Sequence, residues 1–318
     1  MSCVPVSVII PNYNHATYLP LRLSSIANQT CINYEAILLD DASNDNSVSI
    51  LNSFLSDTRF HLHRNNNNSG STFAQWNKGV SLASNEYIWI AESDDIADNF
   101  LLESLVKKME IDSEIVLAYC QSNHINENNE VTGTWKDFTT DLEYSDLFDK
   151  DFVMNGKEYI SKFLIHRNTI PNASAVLLRK SVFQKVGGAP EHLITSGDWL
   201  TWLKMLCFGK VAFVAAPLNY FRRHNLSVIA KADTFSDDAI YKEQYQMTMR
   251  IEFKSFIQYQ GISVSKQVIT LNDLYISNDI GNKGLFIFSK GQLLKGIVLI
   301  LKSSFSPYLR TGFLKKII

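Results

Sequence analysis

The chain alternates short apolar runs with stretches of helical periodicity. Val6–Ile10 and Ala36–Leu39 are β-branched or leucine-rich runs, and such runs are typical of buried parallel strands. Between them, apolar residues recur at helical spacing from Tyr18 to Gln29. Further strands are predicted at Phe60–His63, Tyr87–Ile90 and Ile115–Tyr119, with helices at Val48–Leu55, Thr72–Leu82 and Phe100–Met109. This alternation predicts an α/β fold with a mostly parallel sheet and helices on both faces.

The second half of the chain has a weaker pattern. Residues 121–172 are rich in asparagine and acidic residues, and we interpret them as a long excursion over the surface. Strand or helix character returns at Ala173–Leu178, Asp198–Phe208, Val211–Ala215 and Asn219–Arg222, of which the second is helical. Beyond His224 the pattern is helical, so a helical C-terminal appendage is predicted over residues 226–318.

Polar residues gather where three of the predicted strands end. Asn12–Asn14, Asp40–Ser43 and Glu92–Asp95 each follow an apolar strand. In parallel sheets ligands bind beyond the carboxyl ends of the strands, and a buried carboxylate is costly unless something positive holds it. The three clusters therefore indicate a site for a cation, a cationic partner or a strongly polar ligand. The alternative for any one cluster is a solvated acidic turn.

The composition excludes some classes of protein. Of the 318 residues, 46% are hydrophobic and 19% are charged, as in a globular protein with one large core or a core with an appendage. A net charge of −2 gives no general attraction for nucleic acid. The four cysteines show no metal-ligand spacing and are expected to be reduced core residues. The sequence has no signal-peptide pattern and no run of about 18 apolar residues, so a cytoplasmic protein is expected.

The ordered succession of motifs resembles a known family. The segments that carry the resemblance are Val6–Asn14, Ser25–Thr30, Leu39–Ser43, Asn68–Gly70, Asn77–Gly79 and Glu92–Asp95. Over about residues 4–224 the chain is similar to the inverting family 2 glycosyltransferases of the GT-A fold. The resemblance implies a Rossmann-like catalytic domain over residues 1–225, with a nucleotide-sugar-binding half at 1–120 and an acceptor-binding half at 121–225.

The resemblance also implies a donor and a metal cofactor. Tyr13 and Asp41 would contact the nucleobase and Asp94 the ribose of a nucleotide sugar, with UDP- or dTDP-sugars favoured. Asp95 would bind Mg²⁺ or Mn²⁺ against the donor diphosphate, because hard cations prefer oxygen ligands. The positions assigned to donor binding are Pro11, Tyr13, Asn14, Asp41, Ser43, Gly70, Asn77, Asp94, Arg222 and His224. The other histidines, His15 among them, show no ligand spacing and are interpreted as ordinary residues.

Glycosyl transfer with inversion needs a base that takes the proton of the acceptor hydroxyl. Asp198, in the segment Thr195–Trp199, matches the position where the family places this base. The alternative interpretation of Asp198 is a plain aspartate that caps a helix. The nearby Trp199 and Trp202 are suited to lining a sugar pocket.

The chain departs from the family pattern at Gly197, where relatives more often have an acidic residue before the base, and at two places in the donor-binding half. Glu92 stands where the acidic motif often has aspartate, and it is left unassigned. Gln75–Trp76 stands where many relatives carry Ala-Arg, so this segment offers no arginine to the donor. Arg222 and His224 belong to a segment that resembles the aromatic-Arg-x-His segment of many relatives. The resemblance implies that its charge would stabilise the diphosphate and that His224 could also join the metal. The alternative for that segment is a basic surface turn.

The C-terminal segment has a charge of its own. After Asp279 the sequence contains no acidic residue but seven basic ones. Gly291–Leu301 and Phe305–Ile318 mix lysine with leucine, isoleucine and other apolar residues. This pattern predicts a basic amphipathic helix on an anionic membrane surface, at the inner face of the cell membrane. The alternative is an appendage that packs on the catalytic domain with its lysines in water.

Together these features predict a metal-dependent, inverting glycosyltransferase. It would move a sugar from a nucleotide-sugar donor to a hydroxyl of a lipid-linked bacterial glycan such as O-antigen or capsule. A sugar nucleotidyltransferase is a weaker alternative, because no glycine-rich, lysine-bearing phosphate loop follows the first strand. A catalytically inactive nucleotide-sugar-binding scaffold is the other alternative, and it would not need Asp198.

Overall fold

The structure is a computed structural model that describes residues 4–170, 172–224, 238–289 and 293–304. The chain divides into two compact units, Met1–Ser227 and Val228–Ile318. The first unit is an α/β unit, whereas the described part of the second unit is helical. The division of the first unit into donor-binding and acceptor-binding halves stays a prediction.

A mixed sheet of ten strands organises the described part of the first unit. The strands are β1 (Val6–Asn12), β2 (Tyr34–Asp40), β3 (Phe60–Arg64), β4 (Tyr87–Ile90), β5 (Ile96–Ala97), β6 (Ile115–Ile125), β7 (Val131–Thr134), β8 (Phe152–Asn155), β9 (Val176–Arg179) and β10 (Lys210–Arg222). Their order is β3-β2-β1-β4-β9-β6-β10-β5, with β7 beside β6 and β8 beside β10. β1 to β4, β6 and β10 run in one direction, and the other strands run against them. The predicted mostly parallel sheet is confirmed.

Helices cover both faces of the sheet, as predicted. They are α1 (Leu19–Ala27), α2 (Ser47–Ser53), α3 (Thr72–Leu82), α4 (Leu101–Met109), α5 (Gly156–Tyr159), α6 (Lys180–Lys185) and α7 (Gly197–Leu206). Val8 and Ile10 of β1 belong to the core cluster that includes residues of α1 and α4. Between them, Ile9 meets α3 so closely that a Cβ at Gly79 would lie 2.2 Å from its side chain. Neighbouring residues of β1 therefore serve opposite faces, as in a strand that is buried on both sides.

The predicted surface excursion over residues 121–172 is wrong. β6 continues through Ile125, and residues 156–164 form a helical segment that is buried on one side. Tyr159 and Phe163 in this segment are fully inaccessible to solvent. The aromatic residues that supply this packing follow neither a strand period nor a helix period over a long run, so the sequence pattern does not reveal them.

β10 also differs from the prediction, because the two strands expected at 211–215 and 219–222 are one strand. Its register against β6 shifts between Val214 and Pro217 and again between Pro217 and Asn219. Proline lacks the backbone N–H that a sheet ladder needs. A bulge accommodates such a residue without ending the strand, and the strand continues to Arg222.

The second unit contains three described helices, α8 (Asp238–Tyr259), α9 (Lys266–Ser289) and α10 (Leu293–Ser304). α9 and α10 approach closely, since a Cβ at Gly284 would lie 2.9 Å from Ile300. No helix among the described residues is long and apolar enough to cross a membrane. The predicted amphipathic segment Phe305–Ile318 lies outside the described residues.

The cysteines follow the sequence prediction only in part. Cys120 and Cys207 are free thiols, and both are buried as small core residues. Burial raises the pKa of each of these thiols to about 12, so both are inert at neutral pH. Cys31 is disulfide-bonded, and the expectation that it is reduced is wrong.

Candidate functional site

The ends of the neighbouring strands β1 and β2 are tied together by side chains. Nδ2 of Asn12 donates to Oδ1 of Asp40 and to Oγ of Ser43, each at 3.1 Å. The backbone N–H of Asn14 donates to the same Ser43 hydroxyl at 3.0 Å. Asn14 and Ala42 both have a positive φ, of 57° and 61°, which is costly for an alanine. These hydrogen bonds hold the two loops in a shape that the backbone alone would not favour.

Asp41 anchors the loop that follows β3. Its carboxylate accepts from Nδ2 of Asn65 at 2.6 Å and from the Ser69 hydroxyl at 2.7 Å. The Ser69 backbone N–H lies 3.0 Å from both carboxylate oxygens. Asn68 accepts from the N–H of Gly70 at 2.7 Å, and Gly70 takes the positive φ of 71° that glycine favours. The Asp41 carboxylate is thus buried and fully used within the protein.

Tyr13 and Pro11, both predicted to bind donor, lie in different surroundings. Tyr13 follows β1 directly and is 44% exposed, so a face of its ring is available for stacking. Pro11 is buried inside β1, where it pairs with Leu39 of β2. Pro11 therefore shapes the strand end, whereas Tyr13 presents a surface to a ligand.

The carboxyl end of β4 carries a cluster of one carboxylate and two imidazoles. His15, Asp94 and His224 each offer a ligand atom, and these atoms all lie within 4.8 Å of one another. Oδ2 of Asp94 lies 3.0 Å from Nε2 of His224, and Nδ1 of His15 lies 2.7 Å from Oγ of Ser93. Burial alone would raise the pKa of Asp94, but the hydrogen bond with His224 and the charges of both histidines lower it. Asp94 is therefore the ionised member of the acidic segment.

This cluster fits a divalent metal ion. Nε2 of His224 is the nitrogen that faces Asp94, so it is the atom placed to share an ion with that carboxylate. A carboxylate suits Mg²⁺ or Mn²⁺, whereas two imidazoles suit a transition metal. His15 was missed in the sequence because it lies 79 positions before Asp94, and only the fold brings the two together.

Asp95, the predicted metal ligand, points into the protein. It is 1% exposed, and its oxygens accept from the backbone N–H of Arg222 at 2.9 Å and from Nδ2 of Asn172 at 2.8 Å. Burial and the neighbouring charge of Asp94 raise the pKa of Asp95 to about 7. Its ligand role stays a prediction, and the geometry favours Asp94 for that role.

The side chain of Arg222 is hydrogen-bonded to the acidic segment and to the loop after β6. Its guanidinium donates to the backbone carbonyls of Asp94 and Asn126 and to Oδ1 of Asn129, each at 2.7 Å. The same group lies 4.8 Å from the centre of the Tyr18 ring. Arg222 is 1% exposed, so the contacts within the protein occupy the side chain that was predicted to bind the diphosphate.

Asp198 stands in the first turn of α7. Ser196, with a φ of 64°, precedes the helix and makes no side-chain cap, and Asp198 lies just inside the helix. Oδ2 of Asp198 accepts from Nδ2 of Asn168 at 2.8 Å. Burial raises the pKa of this carboxyl, although the residue remains partly exposed. A partly exposed carboxylate with a raised pKa is suited to accepting a proton.

Trp199 and Trp202 pack in the interior and do not line a sugar pocket. They are 5% and 0% exposed, and Nε1 of Trp199 donates to the backbone carbonyl of Leu164 at 2.7 Å. The side chain of Asn77, which was predicted to bind the donor, is also hydrogen-bonded within the protein. Its amide donates to the Ala189 carbonyl at 2.9 Å and accepts from the Ala189 N–H at 2.9 Å. Asn77 thus fixes the loop before α7 to α3.

The comparison with protein families decides the class of this chain. The sequence model described as Glycosyl transferase family 2 matches residues 7–187, which includes β1 to β9. The chain is a family 2 glycosyltransferase. The predicted family is therefore confirmed, and with it the general activity of glycosyl transfer.

Curated relatives of this family 2 glycosyltransferase come from bacteria. It is 29% identical over 228 residues to the glycosyltransferase GlyG of Streptococcus pneumoniae, which covers 70% of this chain and 72% of GlyG. It is 26% identical over 239 residues to the putative glycosyltransferase EpsH of Bacillus subtilis, with 73% and 64% covered. A shorter match of 104 residues at 35% identity covers 31% of each chain and relates it to TarP of Staphylococcus aureus, a poly(ribitol-phosphate) β-N-acetylglucosaminyltransferase.

Solved structures share the fold of this glycosyltransferase. TarS 1–349 of S. aureus in complex with UDP-GlcNAc superposes with a TM-score of 0.65 at 14% identity, over 94% of this chain and 79% of that one. The mannosyltransferase PcManGT of Pyrobaculum calidifontis, in complex with GDP-Man and Mn²⁺, gives a TM-score of 0.58 at 15% identity, over 95% and 80% of the two chains. The predicted GT-A fold is confirmed.

Proposed function

We propose that this glycosyltransferase is metal-dependent and inverting, and that it uses a UDP- or dTDP-sugar as donor. The observation that carries the proposal is the cluster of His15, Asp94 and His224 at the end of β4. β4 is the sheet neighbour of β1, whose end carries the exposed Tyr13. A diphosphate held at the cluster would leave its nucleoside near the ends of β1 and β2. That TarS binds UDP-GlcNAc and PcManGT binds GDP-Man with Mn²⁺ supports this type of donor.

The chain's own residues divide the work of binding the donor. Asp94, His224 and His15 would hold the metal ion, whose contribution when bound is to neutralise charge on the departing diphosphate. Tyr13 would stack on the base through its exposed ring face. Asp41 would act through the loop of Asn65 to Ser69, because its carboxylate already accepts the hydrogen bonds of that loop.

Asp198 would accept the proton of the acceptor hydroxyl. Asn168 donates to one of its oxygens, which orients the carboxylate and leaves it partly exposed. A positioned base typically contributes about 10²–10⁴-fold to the rate. The raised pKa keeps the group a competent base near neutral pH.

The test of the base is the variant Asp198→Asn. We expect sugar transfer to fall by about two orders of magnitude or more while the affinity for UDP is retained. Glu103→Gln is a matched control, because Glu103 is an acid in the first turn of α4 and has no role in this account. An unchanged transfer rate in Asp198→Asn would overturn the base assignment. A wild-type protein that binds UDP-sugars but transfers none would instead favour the inactive scaffold.

The acceptor would be a lipid-linked bacterial surface glycan at the inner face of the cell membrane. Support comes from TarP, whose name gives a poly(ribitol-phosphate) acceptor, and from α10. The exposed apolar residues of α10 repeat at helical spacing and are Leu294, Ile297, Val298 and Leu301. Lys295 and Lys302 lie on the same helix, and such a helix suits an anionic membrane surface.

A sedimentation assay with vesicles tests the membrane contact. We expect the full chain to sediment with phosphatidylglycerol vesicles, and the double variant Ile297→Ser with Leu301→Ser to remain in the supernatant. Vesicles of neutral phosphatidylcholine are the control for charge. Equal sedimentation of both proteins with the anionic vesicles would contradict the role of α10.

A further inference from the structure

The two departures from the family pattern in the donor-binding half, Trp76 and Glu92, are in direct contact. Nε1 of Trp76 donates to Oε1 of Glu92 at 2.7 Å. Trp76 lies on α3 and is 3% exposed, whereas Glu92 follows β4 and stands two positions before Asp94. Two unusual residues that bond to each other form one structural unit, and the unit lies at the donor edge of the sheet.

The Trp76 ring is fixed by aromatic neighbours on two helices. It meets Phe73 of α3 edge to face, with 5.1 Å between ring centres. It stacks on Trp202 of α7 at 6.1 Å with an interplanar angle of 29°, and Trp202 lies one turn beyond Asp198. Phe73 itself lies under the start of α7, since a Cβ at Gly197 would be 2.4 Å from its ring. The indole N–H therefore has a defined position relative to both Glu92 and α7.

Glu92 is held at one oxygen and free at the other. Its backbone N–H donates to Oγ of Ser174 at 3.1 Å, which fixes the main chain. Oε1 accepts from Trp76, and Oε2 accepts no hydrogen bond from any described residue. The side chain is partly exposed. A carboxyl oxygen that is oriented but unused, near the proposed metal ligand Asp94, is placed to bond a ligand.

Tryptophan and arginine would orient the carboxyl group of Glu92 differently. An arginine often binds a carboxylate with two parallel N–H groups and so occupies both oxygens. The indole ring has a single N–H donor. Trp76 thus fixes the direction of Glu92 and leaves Oε2 available, and glutamate is one methylene longer than the aspartate it replaces.

We propose that Trp76 is a positioning residue that orients Glu92, so that Oε2 forms a hydrogen bond with a hydroxyl of the donor sugar and selects among sugars. The inference rests on the proposed nucleotide-sugar donor and deepens it. A site built to bond a substrate hydroxyl rejects an analogue in which that hydroxyl is missing or inverted, because its polar group is then left unpaired. The pair thus determines sugar specificity, while Asp94 and Tyr13 bind the part that all UDP-sugars share.

The experiment compares the affinity for UDP with the affinities for UDP-glucose, UDP-galactose, UDP-GlcNAc and UDP-GalNAc, measured calorimetrically with Mn²⁺. In the unaltered protein we expect one sugar to bind about 10-fold tighter than its epimer, as one hydrogen bond allows. Trp76→Phe keeps the stack on Trp202 but removes the N–H, and it should lose this preference with the affinity for UDP unchanged. Trp135→Phe is a matched control outside this unit and should keep the preference.

A double-mutant cycle separates positioning from a merely structural effect. Glu92→Ala should lose the same preference, and adding Trp76→Phe to it should cost no more, because the two residues act through one hydrogen bond. Losses that add, or an equal loss of affinity for UDP itself, would overturn the inference. A wild-type protein that binds UDP and UDP-sugars without preference would also overturn it while leaving the donor proposal intact. Failure to bind any of these nucleotides or dTDP would overturn the proposed function itself.

Discussion

Two corners of the same sheet edge, the ends of β2 and of β4, each carry a carboxylate. The two carboxylates differ in how far their oxygens are hydrogen-bonded within the protein. At the end of β2, Asp41 is buried and its oxygens are filled by Asn65 and Ser69. At the end of β4, Asp94 lies beside His15 and His224, and the three residues each offer a ligand atom within 4.8 Å of the others. A carboxylate whose oxygens are filled by donors of the protein has a structural role, whereas one that faces two imidazoles is suited to bind a metal ion.

The acidic segment repeats this contrast within four residues. The pKa of Asp94 is lowered, with the His224 hydrogen bond and the histidine charges outweighing burial. Burial raises the pKa of Glu92 to about 8 and that of Asp95 to about 7. Only Asp94 is therefore ionised well below neutral pH. The fold therefore shifts the pKa values of three neighbouring carboxyl groups in different directions, although the groups look alike in the sequence.

The largest expected effect is at Asp94. Asp94→Ala removes a proposed metal ligand, so we expect metal-dependent transfer to fall by more than about 100-fold. Loss of a residue that only supports a metal ligand costs up to about 100-fold, and loss of a ligand itself should cost more. Transfer assays over a range of Mn²⁺ concentrations measure this loss. If Asp94→Ala retained the wild-type Mn²⁺ dependence, the contrast between the two corners would be wrong.

At the other corner the expected effect is smaller and falls on the loop. Asp41→Ala leaves the Ser69 N–H and the Asn65 amide without their acceptor, and each such group costs about 1–3 kcal/mol when it stays buried. We expect a lower thermal midpoint and an affinity for UDP that falls about 10-fold. The Mn²⁺ dependence should be unchanged, and a changed Mn²⁺ dependence would show that the corners are not independent.

The pH dependence of stability is a smaller effect that sharpens the contrast within the acidic segment. The pKa of Glu92 is about 8 in the fold against a usual 4.5, so the unfolded chain releases this proton at lower pH than the folded chain. The stabilisation that the neutral carboxyl contributes is full below pH 4.5 and is lost as the pH rises to about 8. In the presence of EDTA, the thermal midpoint of Glu92→Gln should therefore rise relative to that of the wild type as the pH increases from about 5 to about 8, the range between the two pKa values. A difference that does not change with pH would contradict the raised pKa.

The smallest expected effect is at Ser69. Ser69→Ala removes the hydroxyl but keeps the backbone N–H that also bonds Asp41. We expect a loss of about 0.5–1.5 kcal/mol in the free energy of unfolding, as for one hydrogen bond, measured by urea denaturation. A loss as large as that of Asp41→Ala would mean that the hydroxyl alone carries the loop.

The sequence predicts the parallel half of the fold well, because apolar runs such as Val6–Ile10 leave few alternatives to a buried strand. It predicts the second half poorly, since Tyr159 and Phe163 pack without a periodic pattern. Strand ends locate the site, but they do not say which way a carboxylate points. Asp94 and Asp95 are adjacent, and the hydrogen bonds of Arg222 and Asn172, far away in sequence, turn Asp95 inward.

The sequence pattern does not reveal His15 as a site residue and does not explain Trp76, and the reason is the same for both. His15 joins the cluster through its contact with Ser93, 78 residues away, and no spacing rule connects the two. The role proposed for Trp76 depends on its hydrogen bond to Glu92, which only the structure shows. Site residues that come from one strand end can be predicted, whereas those that meet across the fold need the structure.

Mn²⁺ binding in the presence of UDP tests most directly whether Asp94 or Asp95 binds the metal. Electron paramagnetic resonance measures the free Mn²⁺. Asp94→Asn and Asp95→Asn are compared with wild type, since the two residues are adjacent and the substitution is the same. We expect Asp94→Asn to bind Mn²⁺ at least about 10-fold more weakly, while Asp95→Asn keeps nearly wild-type affinity and loses thermal stability. The reverse pattern, with Mn²⁺ affinity lost in Asp95→Asn and retained in Asp94→Asn, would contradict it.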